Sequence, residues 1–227
     1  MNNTNKAKRL AWAKEHEHWS VSDWMRIIWT DEAAFYIGGF RGNVWVTRNA
    51  EEEYNEQCLI PRFQKLSHVM VWGAIVADRT GPLVVWDNSW GKICSQSYLT
   101  HITRPVLAPF YEKETYLSWP YCTRVMQDGA PAHRGKLTLA EEKSLGIIRL
   151  NWPASSPDLN PIETLWRNMK KRLDDLPLRP KTRDEMIEVL HKTWEELVPQ
   201  TDFLPYITSM PSRIKAVIAA NGGHTQF

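Results

Sequence analysis

The stretch Ser155–Arg172 reads SSPDLNPIETLWRNMKKR and carries the clearest helix signal in the chain. Asn160 suits the N-cap position, and Pro161 suits the first helical position. Apolar residues then recur at helical spacing and predict one buried stripe, made of Ile162, Leu165, Trp166, Met169 and Leu173. We therefore expect a helix over about 161–174 that packs on a core by this stripe.

Glu163 lies near the start of this helix, about 100° away from the apolar stripe and in line with Arg167 and Lys170. Its position allows two interpretations. An acid at the third helical position can complete a capping box, and Glu163 with Arg167 can form an i,i+4 ion pair. Alternatively, Glu163 is one of several carboxylates that meet at a catalytic site. Spacing alone leaves both open.

Two further acids have suitable positions. Asp128 lies in MQDGAPAH, and thirty-four residues separate it from Glu163; Asp31 ends the apolar run MRIIWT. Three carboxylates on separate elements suit two Mg²⁺ ions, which prefer hard oxygen ligands. Each acid also has a structural interpretation, because an Asp after a strand often forms a turn and Asp-Gly is a turn dipeptide. Glu32 competes with Asp31, and His133 is either structural or able to contact a phosphate or a metal-bound water.

Composition narrows the class of protein. The 227 residues can bury a sizeable core, and 43% hydrophobic and 24% charged residues are ordinary values for a globular protein. The net charge of +2 means that any basic surface must be local. Three dispersed cysteines predict neither a disulfide framework nor a zinc site. The longest apolar run has nine residues, Val69 to Ala77, so we expect a soluble, non-secreted protein with no membrane partner.

The order of predicted elements indicates the fold class. Strands are expected at 25–30, 35–37, 43–47, 69–77, 83–86, 123–127 and 147–150. Helices are expected at 6–18, 97–113 (kinked by Pro105 and Pro109), 136–145, 161–174, 182–198 (capped by Thr182 and Glu185) and 203–220. Antiparallel strands followed by alternating strands and helices predict an α/β fold, with a mixed sheet flanked by helices on both faces.

Five stretches together resemble the mariner superfamily of cut-and-paste DNA transposases. They are WTDEAAF, VMVWGAIV, QDGAPAH, WPASSPDLNPIETLW and SMPSRIKAVIAANGGHT, in the order and spacing of that family. The resemblance runs from about Arg9 to the C-terminus. The pair QDxAPxH and SPDLNPIE at a thirty-four-residue interval is highly specific, whereas SPDL alone is not.

This resemblance implies a ribonuclease H-like catalytic domain whose Asp, Asp and Glu ligands match Asp31, Asp128 and Glu163. It implies Mg²⁺, with Mn²⁺ accepted, and double-stranded DNA as partner, in the form of transposon ends and a TA target. Water would first nick DNA at the element end, and the freed 3′ hydroxyl would then attack the target without a covalent enzyme intermediate. A homodimer on DNA and a nuclear location are further expectations.

The sequence also departs from the family. QKLSH (Gln64 to His68) stands where relatives often carry a glycine-rich stretch, and Gly129 follows Asp128 where many have Asn. The paired helix-turn-helix modules that begin such transposases have no counterpart before Trp12. We therefore expect an isolated catalytic domain or a truncated descendant, with residues 1–20 as a linker-like helix and 21–227 as the ribonuclease H-like domain. The helix at 6–18 is expected to lie outside the core.

Positive residues near the acids suggest a DNA path. Six are candidates for phosphate contacts, namely Arg134, Lys136, Arg167, Lys170, Lys171 and Arg172. Basic residues on a helix are also commonly just a solvated face. Trp45 and Trp90 lie near glycine-rich loops and could stack on unpaired bases, although core packing is the favoured interpretation of both.

Two other functions fit the sequence. One is a ribonuclease H-like nuclease that acts on another nucleic acid, such as an RNA–DNA hybrid or a branched junction. The other is a host-adopted, non-catalytic domain that binds DNA or protein. Metal-dependent nicking of plain DNA distinguishes the enzymes from the non-catalytic domain, and substrate preference distinguishes the two enzymes.

Overall fold

The computed structural model describes residues 1–38, 67–118, 123–196 and 204–227. Within these ranges, four strands form one sheet, namely β1 Ile27–Tyr36, β2 His68–Val76, β3 Arg79–Val85 and β4 Arg124–Met126. The helices are α1 Asn3–Glu15, α2 Val21–Trp24, α3 Ser95–Tyr98, α4 Ala108–Ser118, α5 Pro131–Arg134, α6 Lys136–Ser144, α7 Pro161–Asp174, α8 Arg183–Glu196, α9 Leu204–Thr208 and α10 Met210–Ala219. The strand expected at 43–47 and Trp45 lie outside the described residues.

The sheet is mixed, with strand order β3-β2-β1-β4. β1 pairs antiparallel with β2, and β2 pairs antiparallel with β3, as the turn sequence DRTGP predicts. β1 pairs in parallel with β4. The predicted α/β class with a mixed sheet is confirmed.

Side chains alternate between the two faces of the sheet and feed two cores. On one face, Trp29 and Phe35 of β1 and Val71 of β2 pack against the apolar stripe of α7. On the other face, Ile28 and Trp72 pack with residues of the helical stretch that begins at α3. The molecule therefore has three layers, with the sheet between two sets of helices.

β1 is longer than the sequence predicted. Met25–Thr30 and Phe35–Ile37 were expected as separate strands, whereas one ten-residue strand runs from Ile27 to Tyr36. Asp31 therefore lies inside a strand and pairs with Gly73 of β2, rather than ending a strand as a turn former. The polar pair Asp31-Glu32 is tolerated there because each side chain points to a different face.

The long helix expected at 97–113 is continuous but irregular. A segment with π-helical hydrogen bonding, Leu99–Leu107, connects α3 to α4 and contains Pro105. Proline has no amide hydrogen for the regular i→i−4 bond, and a wider turn accommodates this loss. The prediction that the prolines perturb this helix is consistent with that geometry.

Two of the other predicted elements have the expected boundaries, and two differ. α7 spans Pro161–Asp174 as predicted, and α6 is followed by Gly146, whose φ is +71°. The helix expected at 203–220 is divided into α9 and α10 at Ser209. The strand expected at 147–150 is reduced to a single parallel bridge between Val125 and Arg149.

Across the described ranges, no helix combines the length and apolar character needed to cross a membrane.

α1 belongs to the core, and the expectation that the N-terminal helix lies outside it is wrong. Trp12 and Ala13 are buried, and the guanidinium of Arg9 is completely buried against the C-terminal segment after α10. The indole of Trp12 packs against Trp24 and Trp152. The sequence missed this because the helix has a weak amphipathic pattern and is mostly charged. The division into residues 1–20 and 21–227 stays a prediction.

Gly73 has a packing role that predicts a measurable effect. A Cβ atom at this position would lie 2.6 Å from Trp166 Cη2, which is closer than real Cβ contacts come, and 3.1 Å from Trp194 Cη2, which is tighter than most. Gly73→Ala should therefore destabilise the protein by about 1–3 kcal/mol, the usual range for overpacking a core. We expect a lower thermal midpoint, by about 2–4 °C per kcal/mol for a protein of this size.

The matched control is Gly129→Ala. A Cβ there would meet nothing closer than 3.8 Å, so no packing penalty arises. Equal midpoints for the two variants would show that the Trp166–Trp194 pair can shift freely and that Gly73 is not required for packing.

Candidate active site

Three acids from three different elements line one cleft. Asp31 of β1, Asp128 after β4 and Glu163 of α7 surround a cavity of about 300 Å³. One wall is the segment from Trp152 to Pro157, and Gly129, Ala130 and Asn160 complete the lining. The structure thus brings together the three carboxylates that the sequence singled out.

The parallel pairing of β1 with β4 places the two aspartates side by side. Trp29 pairs with Met126, and both strands run in the same direction. Asp31 and Asp128 each lie two positions further along, so they reach the same level on the face that Trp29 and Met126 occupy. β4 ends at Met126, and this ending opens the sheet edge where the cleft forms.

The start of α7 places Glu163. The Asn160 side chain accepts a hydrogen bond from the amide of Ile162 (3.4 Å), and Pro161 occupies the first helical position. Within the described residues, Glu163 completes no capping box, and no ion pair joins it to Arg167. The buried stripe of α7 fixes the rotation of the helix, so Glu163 is directed to the cleft.

The cleft has an excess of negative charge. Burial, followed by repulsion from Glu163, Glu32 and Asp128, raises the pKa of Asp31 well above its ordinary value. The pKa of Asp128 is lowered instead, chiefly because its carboxylate accepts a hydrogen bond from His133. A cation bound between these side chains would relieve the repulsion.

His133 lies behind the cleft. Its side chain is 2% exposed; Nδ1 is 2.8 Å from Asp128 Oδ1, and Nε2 is 3.2 Å from Glu32 Oε1. Burial alone would lower its pKa, but the bonds to the two carboxylates raise the pKa to about 10. The ring is therefore protonated at neutral pH and donates both bonds. Of the two alternatives that the sequence left open for His133, this geometry favours the structural role over contact with a phosphate or metal-bound water, because both nitrogens are engaged.

Glu32 is the residue whose role sequence reasoning missed. The sequence offered it as a competitor of Asp31, whereas strand alternation sends it to the opposite face of the sheet. The sequence did contain a signal for this role of Glu32. A carboxylate directly follows Asp31 on a strand, and a histidine lies five positions after Asp128.

The sequence alone favours interpreting Asp158 as a cap or a solvated charge, but this is wrong, because Asp158 anchors the cleft wall. It is buried and forms a paired interaction with Arg9, with distances of 2.8 Å to Nη1 and 2.7 Å to Nη2. Thr225 also donates to Asp158 Oδ2 at 2.8 Å. Arg9 further donates to the carbonyl of Ser155 at 3.1 Å. The N-terminal helix and the C-terminal segment therefore both hold this wall.

The donor set suits a hard divalent cation. Asp31, Asp128 and Glu163 offer oxygen atoms only, which Mg²⁺ prefers, and the cleft is otherwise negative. In the part of the chain that the structure describes, no three His, Cys, Asp or Glu side chains form a ready-made ion cage. A shared ion would thus require the carboxylates to approach each other more closely than they do here.

The predicted basic residues are all exposed, but only one is near the cleft lining. The Arg134 side chain lies 3.8 Å from the point where Gly129 would carry a Cβ atom. Lys136, Arg167, Lys170, Lys171 and Arg172 are exposed and do not line the cleft. Lys170 lies 5.6 Å from the centroid of the Phe35 ring.

The tryptophans of the described residues are mainly packing residues. Trp90 stacks on His101 with 4.1 Å between ring centroids, away from the cleft. Trp152 is the tryptophan that lines the cleft, and its ring is 5.9 Å from that of Trp29. Core packing, one of the two interpretations considered for Trp90, accounts for that residue.

A family model described as DDE superfamily endonuclease matches residues 26–187. The Tc1 transposase of Caenorhabditis elegans is 31% identical over 224 residues, covering 98% of this chain and 78% of the relative. The Tcb1 transposase of Caenorhabditis briggsae is 30% identical with the same coverage.

Solved structures show the same fold. The catalytic domain of Mos1 mariner transposase matches all of this chain and 98% of its own length, with a TM-score of 0.75 and 15% identity. The Mos1 paired-end complex with the left transposon end gives a TM-score of 0.75, and this chain spans 65% of the Mos1 chain in it. At this identity the likeness concerns the fold, and it confirms the ribonuclease H-like expectation.

Proposed function

The chain belongs to the DDE superfamily endonucleases and to the Tc1/mariner transposases, and we propose that its cleft cuts DNA with the help of divalent cations. The observation that supports this most is the convergence of Asp31, Asp128 and Glu163 on one cleft from three separate elements. We assign the catalytic role to these three side chains. Convergence of acids that are 35 and 97 positions apart in sequence has no structural purpose, since the acids repel each other.

The three carboxylates would hold Mg²⁺ or Mn²⁺. Two bound ions would stabilise negative charge on the attacking and leaving oxygens of a phosphodiester, and would lower the pKa of the attacking water. The relatives support this choice, because the Mos1 catalytic domain has been solved with Mg and with Mn. The three carboxylates supply the negative charge that draws such ions to the cleft.

The chain's own groups have distinct tasks in this scheme. Asp31 is held by the pairing of β1 with β2, where it lies opposite Gly73, just beyond the end of the β1–β4 pairing. Asp128 is more exposed and is turned by its bonds to His133 and to the amide of Ala130. Glu163 faces the cleft because the buried stripe of α7 fixes the rotation of that helix. Together they would hold the cations, and a phosphate group of DNA would bind to those cations rather than to the carboxylates themselves.

Positive side chains would bind the DNA backbone. Arg134 at the cleft, together with Lys136 and the exposed cations of α7, would neutralise phosphates without reading the base sequence. Binding by such contacts should be sequence-tolerant and should weaken steeply with salt. The DNA-binding assignment of these six residues is thus a proposal about the backbone path.

The wider activity is proposed from the relatives. Mos1 has been solved as a strand transfer complex and as a pre-cleavage transpososome. We infer that this chain is the catalytic part of a cut-and-paste transposase, joins a 3′ hydroxyl to a TA target, and acts on nuclear DNA. Joining two element ends requires two active sites, so the working form would be a homodimer on DNA.

The experiment compares substrates and metals. The purified chain should nick supercoiled plasmid DNA in Mg²⁺ or Mn²⁺, and EDTA should abolish the reaction. A linear RNA–DNA hybrid and a matched DNA duplex serve as the paired substrates, and we expect the DNA duplex to be cut faster. Faster cutting of the hybrid would support the ribonuclease H-like nuclease instead. Binding of DNA without any metal-dependent cutting would support the non-catalytic domain.

A further inference from the structure

Asp31 and Glu32 are neighbours in β1 but belong to different sides of the sheet. Asp31 lines the cleft, whereas Glu32 is largely covered on the opposite side, with 18% of its side chain exposed. Little of the Glu32 side chain is in contact with solvent, and Glu32 Oε1 lies 3.2 Å from His133 Nε2. A buried carboxylate is retained at such a site only when it is paired, and His133 is that partner.

His133 connects the rear of the sheet with the cleft. Nε2 faces Glu32, and Nδ1 is 2.8 Å from Asp128 Oδ1. The ring therefore links Glu32 in β1 to Asp128, which follows β4, across the edge of the sheet. Asp128 has half of its side chain exposed and would otherwise choose freely among rotamers.

Hydrogen bonds to the backbone of α5, together with a ring contact, hold His133 in a fixed position. The carbonyl of Ala132 accepts hydrogen bonds from Ser95 (3.1 Å) and Thr138 (2.6 Å), and the carbonyl of His133 accepts one from Arg149 (2.8 Å). The ring of Tyr98 packs against the imidazole with 4.6 Å between centroids. Three different elements thus fix a four-residue helix that would be unstable alone.

The recorded bonds of Asp128 both involve one oxygen. Within the described residues, Oδ1 accepts from His133 and from the amide of Ala130, at 2.8 Å each, and no bond to Oδ2 is recorded. The carboxylate is therefore fixed in rotation while its second oxygen stays available. A ligand for a cation needs this combination of fixed orientation and one free oxygen.

We propose that Glu32 and His133 are positioning residues, which hold Asp128 from behind the sheet in the orientation that cation binding requires. This inference rests on the proposed function, because it gives Asp128 the role of a ligand. We assign neither residue a direct contact with substrate or cation, since His133 is buried with both ring nitrogens engaged and Glu32 lies on the side of the sheet opposite the cleft. Groups that orient a metal ligand commonly change metal affinity or activity by about 10–100-fold when they are removed.

The test uses two substitutions at His133 that differ only in where the amide nitrogen lies. Asn places its nitrogen near the position of Nδ1 and can still donate to Asp128. Gln places its nitrogen near the position of Nε2 and can still reach Glu32 but not Asp128. Both variants bury an amide of similar polarity, so the unspecific cost to folding is comparable.

Two quantities are measured on the full chain. One is the affinity of the DNA-free protein for Mn²⁺, from the loss of the free-ion signal in electron paramagnetic resonance. The other is the Mg²⁺ concentration that gives half-maximal nicking, with the KM for DNA determined in parallel. We expect His133→Gln to raise both cation constants by about 10–100-fold and to leave the KM for DNA unchanged. His133→Asn should be much closer to the wild type.

Glu32 provides the second arm, and Glu114 the control. Glu32→Ala should weaken Mn²⁺ binding, whereas Glu32→Gln, which can still accept from His133, should restore most of it. Glu114 is another buried carboxylate; it lies in α4 and pairs with Arg79 at 2.6 Å. Glu114→Gln should change the thermal midpoint without changing either cation constant.

The outcomes separate the inference from the proposed function. Wild-type cation constants in both His133→Gln and Glu32→Ala, with normal nicking, would overturn the positioning role and leave the nuclease assignment intact. Equal defects in His133→Asn and His133→Gln would also overturn it, since loss of packing would then explain both. A wild-type protein that neither nicks DNA nor binds Mn²⁺ would refute the proposed function itself. If Glu32→Ala does not fold, the two His133 variants decide alone.

Discussion

Each of the substitutions Asp31→Asn, Asp128→Asn and Glu163→Gln should reduce metal-dependent nicking by on the order of 10³-fold or more while the protein stays folded. A loss of this size corresponds to about 4 kcal/mol of transition-state stabilisation, which is within the range that bound cations supply. The amides keep the shape of the side chains but remove the negative charge that attracts a cation. Circular dichroism and a plasmid nicking assay on the same samples measure fold and activity.

Glu185→Gln is the matched control for Glu163→Gln. Glu185 also lies in the first turn of a helix, and there it does cap the helix start, since it accepts from the amide of Lys181 at 2.8 Å. If Glu163 were only a capping residue, its substitution would resemble that of Glu185 and would leave nicking nearly normal. Near-normal nicking by Glu163→Gln would therefore end its catalytic assignment.

Asp31→Asn should have a second, opposite effect on stability. The folded-state pKa of Asp31 is raised by burial and by repulsion from Glu163, so the ionised side chain destabilises the metal-free fold at neutral pH. Removing the charge should raise the thermal midpoint in EDTA. In the wild type, the thermal midpoint in EDTA should likewise rise as the pH falls through the folded-state pKa of Asp31, because the side chain then loses its charge. An unchanged midpoint in EDTA would show that the three acids do not repel each other.

The second large effect concerns the buried pair Arg9 and Asp158. Arg9→Ala or Asp158→Asn should each destabilise the protein by about 3–5 kcal/mol, because breaking a buried pair leaves its other member without a counter-charge. For a protein of this size, that loss lowers the thermal midpoint by about 2–4 °C per kcal/mol. Nicking should fall as well, because the pair holds the cleft wall from Ser155 to Pro157.

Arg104→Ala is the control for this pair. Arg104 and Glu141 are equally close, at 2.6 Å, but the Arg104 side chain is 51% exposed. Exposed ion pairs contribute about 0–1 kcal/mol, so the thermal midpoint should hardly move. Similar midpoints for Arg104→Ala and Arg9→Ala would contradict the anchoring role of Arg9.

The effect of Asp158→Asn should depend on pH in a defined direction. Burial alone would raise the pKa of Asp158, but the bonds from Arg9 and Thr225 hold the pKa below its usual value of 3.8. Its contribution to stability is therefore fully present at neutral pH and is lost as the pH falls through the folded-state pKa. The difference between wild type and variant should shrink in acid and be largest at neutral pH.

The sequence alone predicts that Asp158→Asn is nearly silent catalytically, whereas the buried pair with Arg9 leads us to expect a loss of nicking. Asp158 and Arg9 are separated by 149 positions, and nothing in either local pattern indicates that they meet. The loop SSPDL looks like a solvated turn in isolation. Only the packing of α1 and of the C-terminal segment against it removes Asp158 from water.

The sequence by itself determined those features that depend on neighbours along the chain. The stripe and cap of α7, the turn between β2 and β3 and the helix at 136–144 follow from periodicity, capping and turn residues, which act over a few positions. The three acids were chosen from motifs and resemblance, and the fold class from the order of strands and helices. These signals are local, and the structure reproduces them with small shifts in boundaries.

The tertiary structure decided which side of the sheet each residue serves. Asp31 and Glu32 are adjacent acids in sequence, and only the pairing of β1 with β2 and β4 assigns one to the cleft and the other to His133. A shift of one residue in that register would exchange them, because strand side chains alternate with a period of two. Long-range pairing sets the register, so a sequence pattern can propose the acids, but the packed sheet selects among them.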